Sequence, residues 1–190
     1  MNKKNHHFLI ALGSNIGLAM SQPVAIIKRA IIELGKSDMN LVSLSRFYET
    51  PAFPTGSGPN FINSVVKVES KYSAREILQE LHKIENKFER QREFRWSART
   101  LDLDLLALGE QVLPSRGVFQ HWCDLPVSEQ KEKIPTELIL PHPRIQDRAF
   151  VLLPLLDVEP SWTHPILKKT VMQLYEELTD QEKKNMQIVQ

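Results

Sequence analysis

Between residues 8 and 108 the apolar positions alternate between period two and period 3.6, and the order of those periods leaves few architectures open. Residues 8–12 form a short continuous apolar run that stops at Gly13-Ser14-Asn15, the profile of a buried strand ending in a turn. Val24, Ile27, Ile31 and Leu34 then recur at helical spacing, with Pro23 suited to the first turn and Gly35 just past the end. Residues 41–48 and 61–69 mix β-branched and aromatic side chains, the latter with Ile62, Val66 and Val68 on one face, and read as two strands. Ser73 and Glu76 have capping-box spacing ahead of Ile77, Leu81, Ile84 and Phe88, which marks a second helix. Residues 100–108 then put Leu101, Leu103 and Leu105 on one face and Asp102 and Asp104 on the other, as a strand does. This order is the split-βαβ plan. The expected fold is therefore α+β, a ferredoxin-like βαββαβ sandwich with two helices on one face of an antiparallel sheet.

Beyond the sixth element the signals thin out. We expect a small hairpin at Gly109-Glu110, an insertion without clear period over residues 114–136, and a helical stretch near residues 149–153. A last helix follows, capped by Thr170 and Gln173 with Val171, Leu174, Tyr175 and Leu178 as its buried stripe, and residues 179–190 look loose. A chain of 190 residues suits one domain over its whole length and needs no disulfide or zinc, which fits the lone Cys123. The longest apolar runs are broken by Lys28, Arg29, Pro154 and Asp157, so no membrane partner is expected, and the cytoplasm is the expected compartment. A net charge of +1 offers no chain-wide basic field, which argues against nucleic acid.

Local charge is another matter. Asp102 and Asp104 lie two apart on a strand, so their carboxylates project side by side, roughly 6 to 7 Å apart. Like charges so placed repel unless a cation lies between them, and an oxygen-only pair suits magnesium, which completes its shell with water and phosphate. A solvated strand face is the plain alternative. Just upstream, residues 86–99 carry Lys87, Arg90, Arg92, Arg95 and Arg99 against Glu89 and Glu93, a net +3. Guanidinium forks match phosphate oxygens, and phosphoryl transfer rests on positioning and charge stabilisation by such groups. Pro141-His142-Pro143-Arg144 and Arg148-Ala149-Phe150 form a third cluster. There the prolines hold His142 in non-helical backbone, and Arg148 either joins the neighbourhood of Asp147 or reaches a phosphate. Phe61 and Asn63 share a strand face with Lys67; an aromatic to stack a flat ring and an amide to read its edge are the minimum for recognising a heterocycle. Residues 50–60, with their prolines and glycines, read as a binding loop. Neither Gly-x-Gly-x-x-Gly nor a Walker-type loop is present, and His121, Cys123 and Asp124 make a weak metal set.

The strings Ala11-Leu12-Gly13-Ser14-Asn15, Tyr48-Glu49-Thr50-Pro51, Phe61-Ile62-Asn63, Arg99-Thr100-Leu101-Asp102-Leu103-Asp104, Leu140-Pro141-His142-Pro143-Arg144 and Arg148-Ala149-Phe150, in this order, resemble one family closely. It is the 6-hydroxymethyl-7,8-dihydropterin pyrophosphokinases of folate biosynthesis. The resemblance spans about residues 8–156 and includes the arginine-rich stretch from Arg90 to Trp96. It implies a kinase that transfers pyrophosphate from ATP to the pterin's hydroxymethyl oxygen, releasing AMP. It further implies two magnesium ions on Asp102 and Asp104, and phosphates steadied by Arg90, Arg92 and Arg99. His82, Glu85, Trp96, His142 and Arg148 would lie around ATP. Phe61 and Phe150 would sandwich the pterin, Asn63 would bond its edge, and Thr50, Pro51 and Phe53 would close the pocket. Small molecules are then the partners, and a monomer is expected. Departures from the family pattern are the insertion over residues 114–136, Ser97-Ala98 where Gly-Pro is common, and Pro143 at a position often aromatic.

Three rivals remain on sequence grounds. Another magnesium-dependent nucleotide transferase would use the same aspartates, and an inactive pterin or nucleotide sensor would keep the pocket. An RNA-binding module would share the element order, but residues 61–69 lack its basic-Gly-aromatic signature.

Overall fold

The computed structural model describes residues 4–17, 22–52, 58–88, 100–126, 129 and 133–189. Strand β1 (His6–Ser14) is followed by α1 (Pro23–Lys36), β2 (Asn40–Leu44), β3 (Tyr48–Thr50), β4 (Phe61–Ser70), α2 (Ala74–Lys87) and β5 (Asp102–Leu108). Then come α3 (Arg116–Cys123), a 3₁₀ turn at Ile145–Asp147, α4 (Ala149–Val158), α5 (Val171–Glu177), α6 (Asp180–Lys183) and β6 (Gln187–Ile188).

Every named strand pairing is antiparallel. β1 runs between β5 and β4, while the far edge of β4 is shared by β2 and β3, with β6 outside β3. Side chains alternate across this sheet and feed two cores. Phe8, Ile10, Leu12, Ile62, Val66, Val68, Leu103 and Leu105 point to the face covered by α1 and α2. Leu9, Val65, Leu106 and Ala107 point to the other face and meet Val151, Leu152 and Leu155 of α4 and Val171 and Leu174 of α5. β4 is buried along most of its length because both of its faces are covered.

Capping boxes form at Ser73/Glu76 and Thr170/Gln173, where the sequence pattern puts them. Five expectations are corrected. The strand expected over residues 41–48 is two strands, because Ser45 turns its hydroxyl into the sheet. That hydroxyl accepts the Val65 N–H (2.9 Å) and bonds Ser64 Oγ (2.9 Å), substituting a side chain for ladder backbone. Gly109 makes a turn with φ 50°, a conformation that favours glycine, but Leu113 next bridges Leu140 instead of forming a hairpin. The stretch over residues 114–136 contains α3, whose Ser115 accepts from Val118 N and whose Phe119 is buried against His164, ring centroids 5.4 Å apart. Residues 179–189 are not loose: Thr179 caps α6, and β6 pairs with Tyr48 and Glu49. The helix expected near residues 149–153 continues to Val158.

Candidate active site

Register assembles the site. Asp102 of β5 lies opposite Gly13 of β1, and Gly13 lies opposite Asn63 of β4, which in turn lies opposite Tyr48 of β3. Cross-strand partners share a face, so one row across four strands carries a carboxylate, a glycine, an amide and a phenol. One step along, Asp104 lies opposite Ala11 and, from β4, Phe61 lies opposite Thr50. This is the α4 face of the sheet. Gly13 keeps the row low: a Cβ there would come within 3.2 Å of Asn63 Oδ1 and 3.8 Å of a Phe61 ring carbon. Asn63 is nearly buried and donates its amide to Thr50 Oγ1 (2.7 Å), which fixes the direction of its carbonyl.

Strand β5 also positions the histidine loop. β5 has a bulge that leaves Leu106 unpaired with β1, and its carbonyl accepts the His142 N–H (2.7 Å). The Leu113–Leu140 bridge secures the start of the same loop. His142 Nδ1 accepts the Arg144 N–H (3.1 Å), so the proton of the neutral ring is on Nε2. Burial, together with the charges of Arg148 and Arg144, holds His142 well below the ordinary imidazole range despite an opposing pull from Asp102. At neutral pH it is therefore an uncharged N–H donor.

Arg148 turns to the paired carboxylates, donating from Nη1 to Asp104 Oδ2 (3.1 Å), with its guanidinium 5.7 Å from the Phe150 ring centroid. The Asp147 neighbourhood is taken by Arg144 instead, at 2.6 Å. Glu85, expected beside ATP, is only 1% exposed. It lies beneath β5, where Oε1 accepts the Leu103 N–H (2.8 Å), and so holds the backbone between the two aspartates. His82 is exposed on α2, one turn earlier.

Thr50, Pro51, Phe61, Asn63, His82, Glu85, Asp102, Asp104, His142, Arg148 and Phe150 are described; Phe53, Arg90, Arg92, Trp96 and Arg99 lie outside the described residues. Among the described residues no cluster of three or more His, Cys, Asp or Glu forms a metal cage. His121 stacks edge-on to Trp122, Asp124 accepts from Gln120, and Cys123 accepts the Gln146 amide, so the weak set near residue 123 is engaged elsewhere. The paired carboxylates offer hard oxygen donors, the chemistry magnesium takes when phosphate and water complete its shell.

Sequence reasoning missed the groups that tie α4 to the sheet. Asp157 accepts from Arg46 and Tyr48, and Glu159 pairs with Lys67. Nothing in local periodicity marks these contacts, since each joins residues about a hundred positions apart. Gly13 was visible in the motif, but its reason is visible only against Asn63.

Comparison with known proteins converges on one family. The family model described as 7,8-dihydro-6-hydroxymethylpterin-pyrophosphokinase (HPPK) matches residues 9–160. The chain is 34% identical over 174 residues to the 2-amino-4-hydroxy-6-hydroxymethyldihydropteridine pyrophosphokinase of Synechocystis, covering 91% of this chain and 76% of that one. It is 35% identical over 149 residues to the enzyme of the same name from Haemophilus influenzae, covering 78% and 79%. Among solved structures, Plasmodium falciparum HPPK-DHPS A437G with SDX-DHP is similar at a TM-score of 0.70 and 15% identity. The alignment covers 98% of this chain and 49% of that one, so the chain spans about half the length of this solved neighbour, and the likeness is one of fold. On the match over residues 9–160 and the identity to relatives covered over about three quarters of their length, the chain belongs to the 7,8-dihydro-6-hydroxymethylpterin-pyrophosphokinase family.

Proposed function

We propose that this chain is a 2-amino-4-hydroxy-6-hydroxymethyldihydropteridine pyrophosphokinase working through the residues of the α4 face. The reaction moves a pyrophosphoryl group from ATP to 6-hydroxymethyl-7,8-dihydropterin and yields AMP and the pterin diphosphate. The observation that carries the reading is the Asp102–Gly13–Asn63 row, which joins a carboxylate for the phosphate end and an amide for the heterocycle on one face.

In this reading Asp102 and Asp104 hold two magnesium ions, which when bound neutralise the triphosphate and polarise the β-phosphoryl group. Asn63, oriented by Thr50, bonds the pterin edge, and Phe61 and Phe150 stack its ring. Pro51 and Phe53 close the pocket. Neutral His142 donates Nε2–H to a phosphate oxygen, and Arg148, with Arg90, Arg92 and Arg99, balances phosphate charge. His82 and Trp96 border ATP. The hydroxymethyl oxygen attacks the β-phosphorus in line as the bond to the bridging α–β oxygen breaks; AMP leaves with that oxygen, and the hydroxyl proton passes to water. The protein's contribution is positioning and charge balance; no described residue is assigned as general base.

The finer fold assignment is ferredoxin-like, supported by the order β5-β1-β4 followed by β2 or β3. Residues 1–190 are read as one domain with an insertion over 114–136, acting as a monomer in the cytoplasm on small molecules. No helix among the described residues is long and apolar enough to cross a membrane. The deciding assay incubates the protein with ATP, magnesium and the pterin, and separates nucleotides and pterins. AMP with pterin diphosphate is expected; free pyrophosphate with a nucleotidylated pterin would point to a nucleotide transferase, and no product from folded protein to a binding-only relative.

A further inference from the structure

Asp157 stands at the far end of α4 from Arg148 and Phe150, well away from the paired carboxylates in the sequence. Its carboxylate nevertheless accepts four hydrogen bonds from Arg46 and Tyr48. Oδ2 accepts from the Arg46 backbone N–H (3.1 Å), from Arg46 Nε (3.0 Å) and from the Tyr48 hydroxyl (2.8 Å), while Oδ1 accepts from Arg46 Nη2 (2.6 Å). The Asp157 side chain is 18% exposed, and Tyr48 is 2% exposed. A two-pronged guanidinium–carboxylate pair fixes direction as well as distance.

The two elements joined here carry opposite sides of the pterin pocket. β3 is three residues long, and its Tyr48 and Thr50 lie opposite Asn63 and Phe61. Thr50 Oγ1 is the acceptor that orients Asn63. α4 begins at Ala149-Phe150, and at that end Arg148 is bonded to Asp104. The helix is thus staked at one end to β5 and at the other to β3, and Phe150 is held between the stakes. Glu159 paired with Lys67 of β4 adds a second tie at the far end.

We propose that Asp157 is a positioning residue for the pterin: its carboxylate sets α4, and so Phe150, against β3, and so Thr50 and Asn63. The proposal rests on the reading of Phe61, Asn63 and Phe150 as the pterin site. Asp157 acts through Phe150 and not on the substrate, while Arg148 keeps its own bond to Asp104, so its loss weakens pterin binding far more than ATP binding.

The test is a fluorescence titration of purified full-length protein with 6-hydroxymethylpterin in the presence of a non-hydrolysable ATP analogue, beside a separate titration of the analogue. D157A is expected to raise the pterin Kd about ten-fold, with the analogue Kd changed less than about two-fold. Y48F, which removes one bond, is expected to give a smaller change in the same direction. D157N keeps the side-chain shape and reports in place of D157A if that variant does not fold. In an F150A background D157A is expected to add little, because both act through one ring. Equal weakening for both ligands, full additivity with F150A, or unchanged pterin affinity in D157A would each overturn the proposal. N63A and F150A separately test the underlying reading: if neither weakens the pterin, the pocket lies elsewhere.

Discussion

Arg148 donates to Asp104 across 3.1 Å, so a residue assigned to phosphate and a residue assigned to metal are partners within one chain. Both are partly exposed, which keeps the pair weak enough to exchange for ligands. The contact also fixes the amino-terminal end of α4 over β5, and it places positive charge beside the carboxylate pair. The small net charge of the whole chain conceals this separation of sign.

Replacing either aspartate should separate chemistry from folding. D102A and D104A are expected to lower turnover by about two orders of magnitude or more, since in the proposed function these carboxylates would hold the magnesium ions that neutralise the triphosphate. Both side chains are partly exposed, so calorimetric midpoints should move only slightly. Near-normal turnover in a D102A/D104A double variant would remove the carboxylate pair from the mechanism.

Gly13 tests the heterocycle end of the row. A Cβ at 3.2 Å from Asn63 Oδ1 forces the amide to give way by a few tenths of an ångström, and its partner Thr50 with it. G13A is expected to raise KM for the pterin several-fold while KM for ATP stays put. Steady-state kinetics with each substrate varied in turn will show whether the two constants part.

Glu85 provides a case in which activity and stability fall together. E85A leaves the Leu103 N–H without its buried acceptor and opens space under β5, a loss of about 2 to 4 kcal/mol by the cost of an unpaired buried donor plus truncation. Urea unfolding should show it. E85Q keeps an acceptor oxygen and is expected to recover most of the stability.

His164 makes the fold sensitive to acid. Burial lowers its pKa to about 4, and its Nδ1 accepts from Ile166 N–H and Leu167 N–H, both at 3.2 Å. The unfolded ring titrates near 6.5, so unfolding takes up a proton between these values. Its contribution is complete above about pH 6.5 and is lost as pH falls toward 4, amounting to about 3 kcal/mol at 1.36 kcal/mol per unit. Denaturant midpoints at pH 7 and pH 4.5 should differ less in H164N, whose amide oxygen can take the same two N–H bonds. An undiminished acid slope in H164N would assign the loss to other groups.

How much was legible depended on how local the cause was. The capping boxes at Ser73 and Thr170 and the Leu/Asp alternation over residues 101–105 are set by neighbours a few positions away, and they appeared where expected. The break at Ser45 was not legible, because its hydroxyl chooses partners on a strand some twenty residues later. Helix α3 was hidden by its shortness: one buried aromatic, Phe119, carries it, and it packs on His164, whose ring also meets Trp162. The carboxyl-terminal residues read as loose from sequence because a two-residue strand has no pattern apart from the edge it joins.

Sequence alone determined the alternation of strands and helices through β5 apart from the break at Ser45, the two carboxylates on one strand face, and the family motifs, because period and spacing are properties of the chain. Tertiary structure alone decided that Asp102, Gly13, Asn63 and Tyr48 form one row, that Glu85 serves β5 from beneath, and that Asp157 anchors α4. The reason is physical: register and buried polar pairing are settled by which surfaces meet, and those surfaces come from residues far apart along the chain.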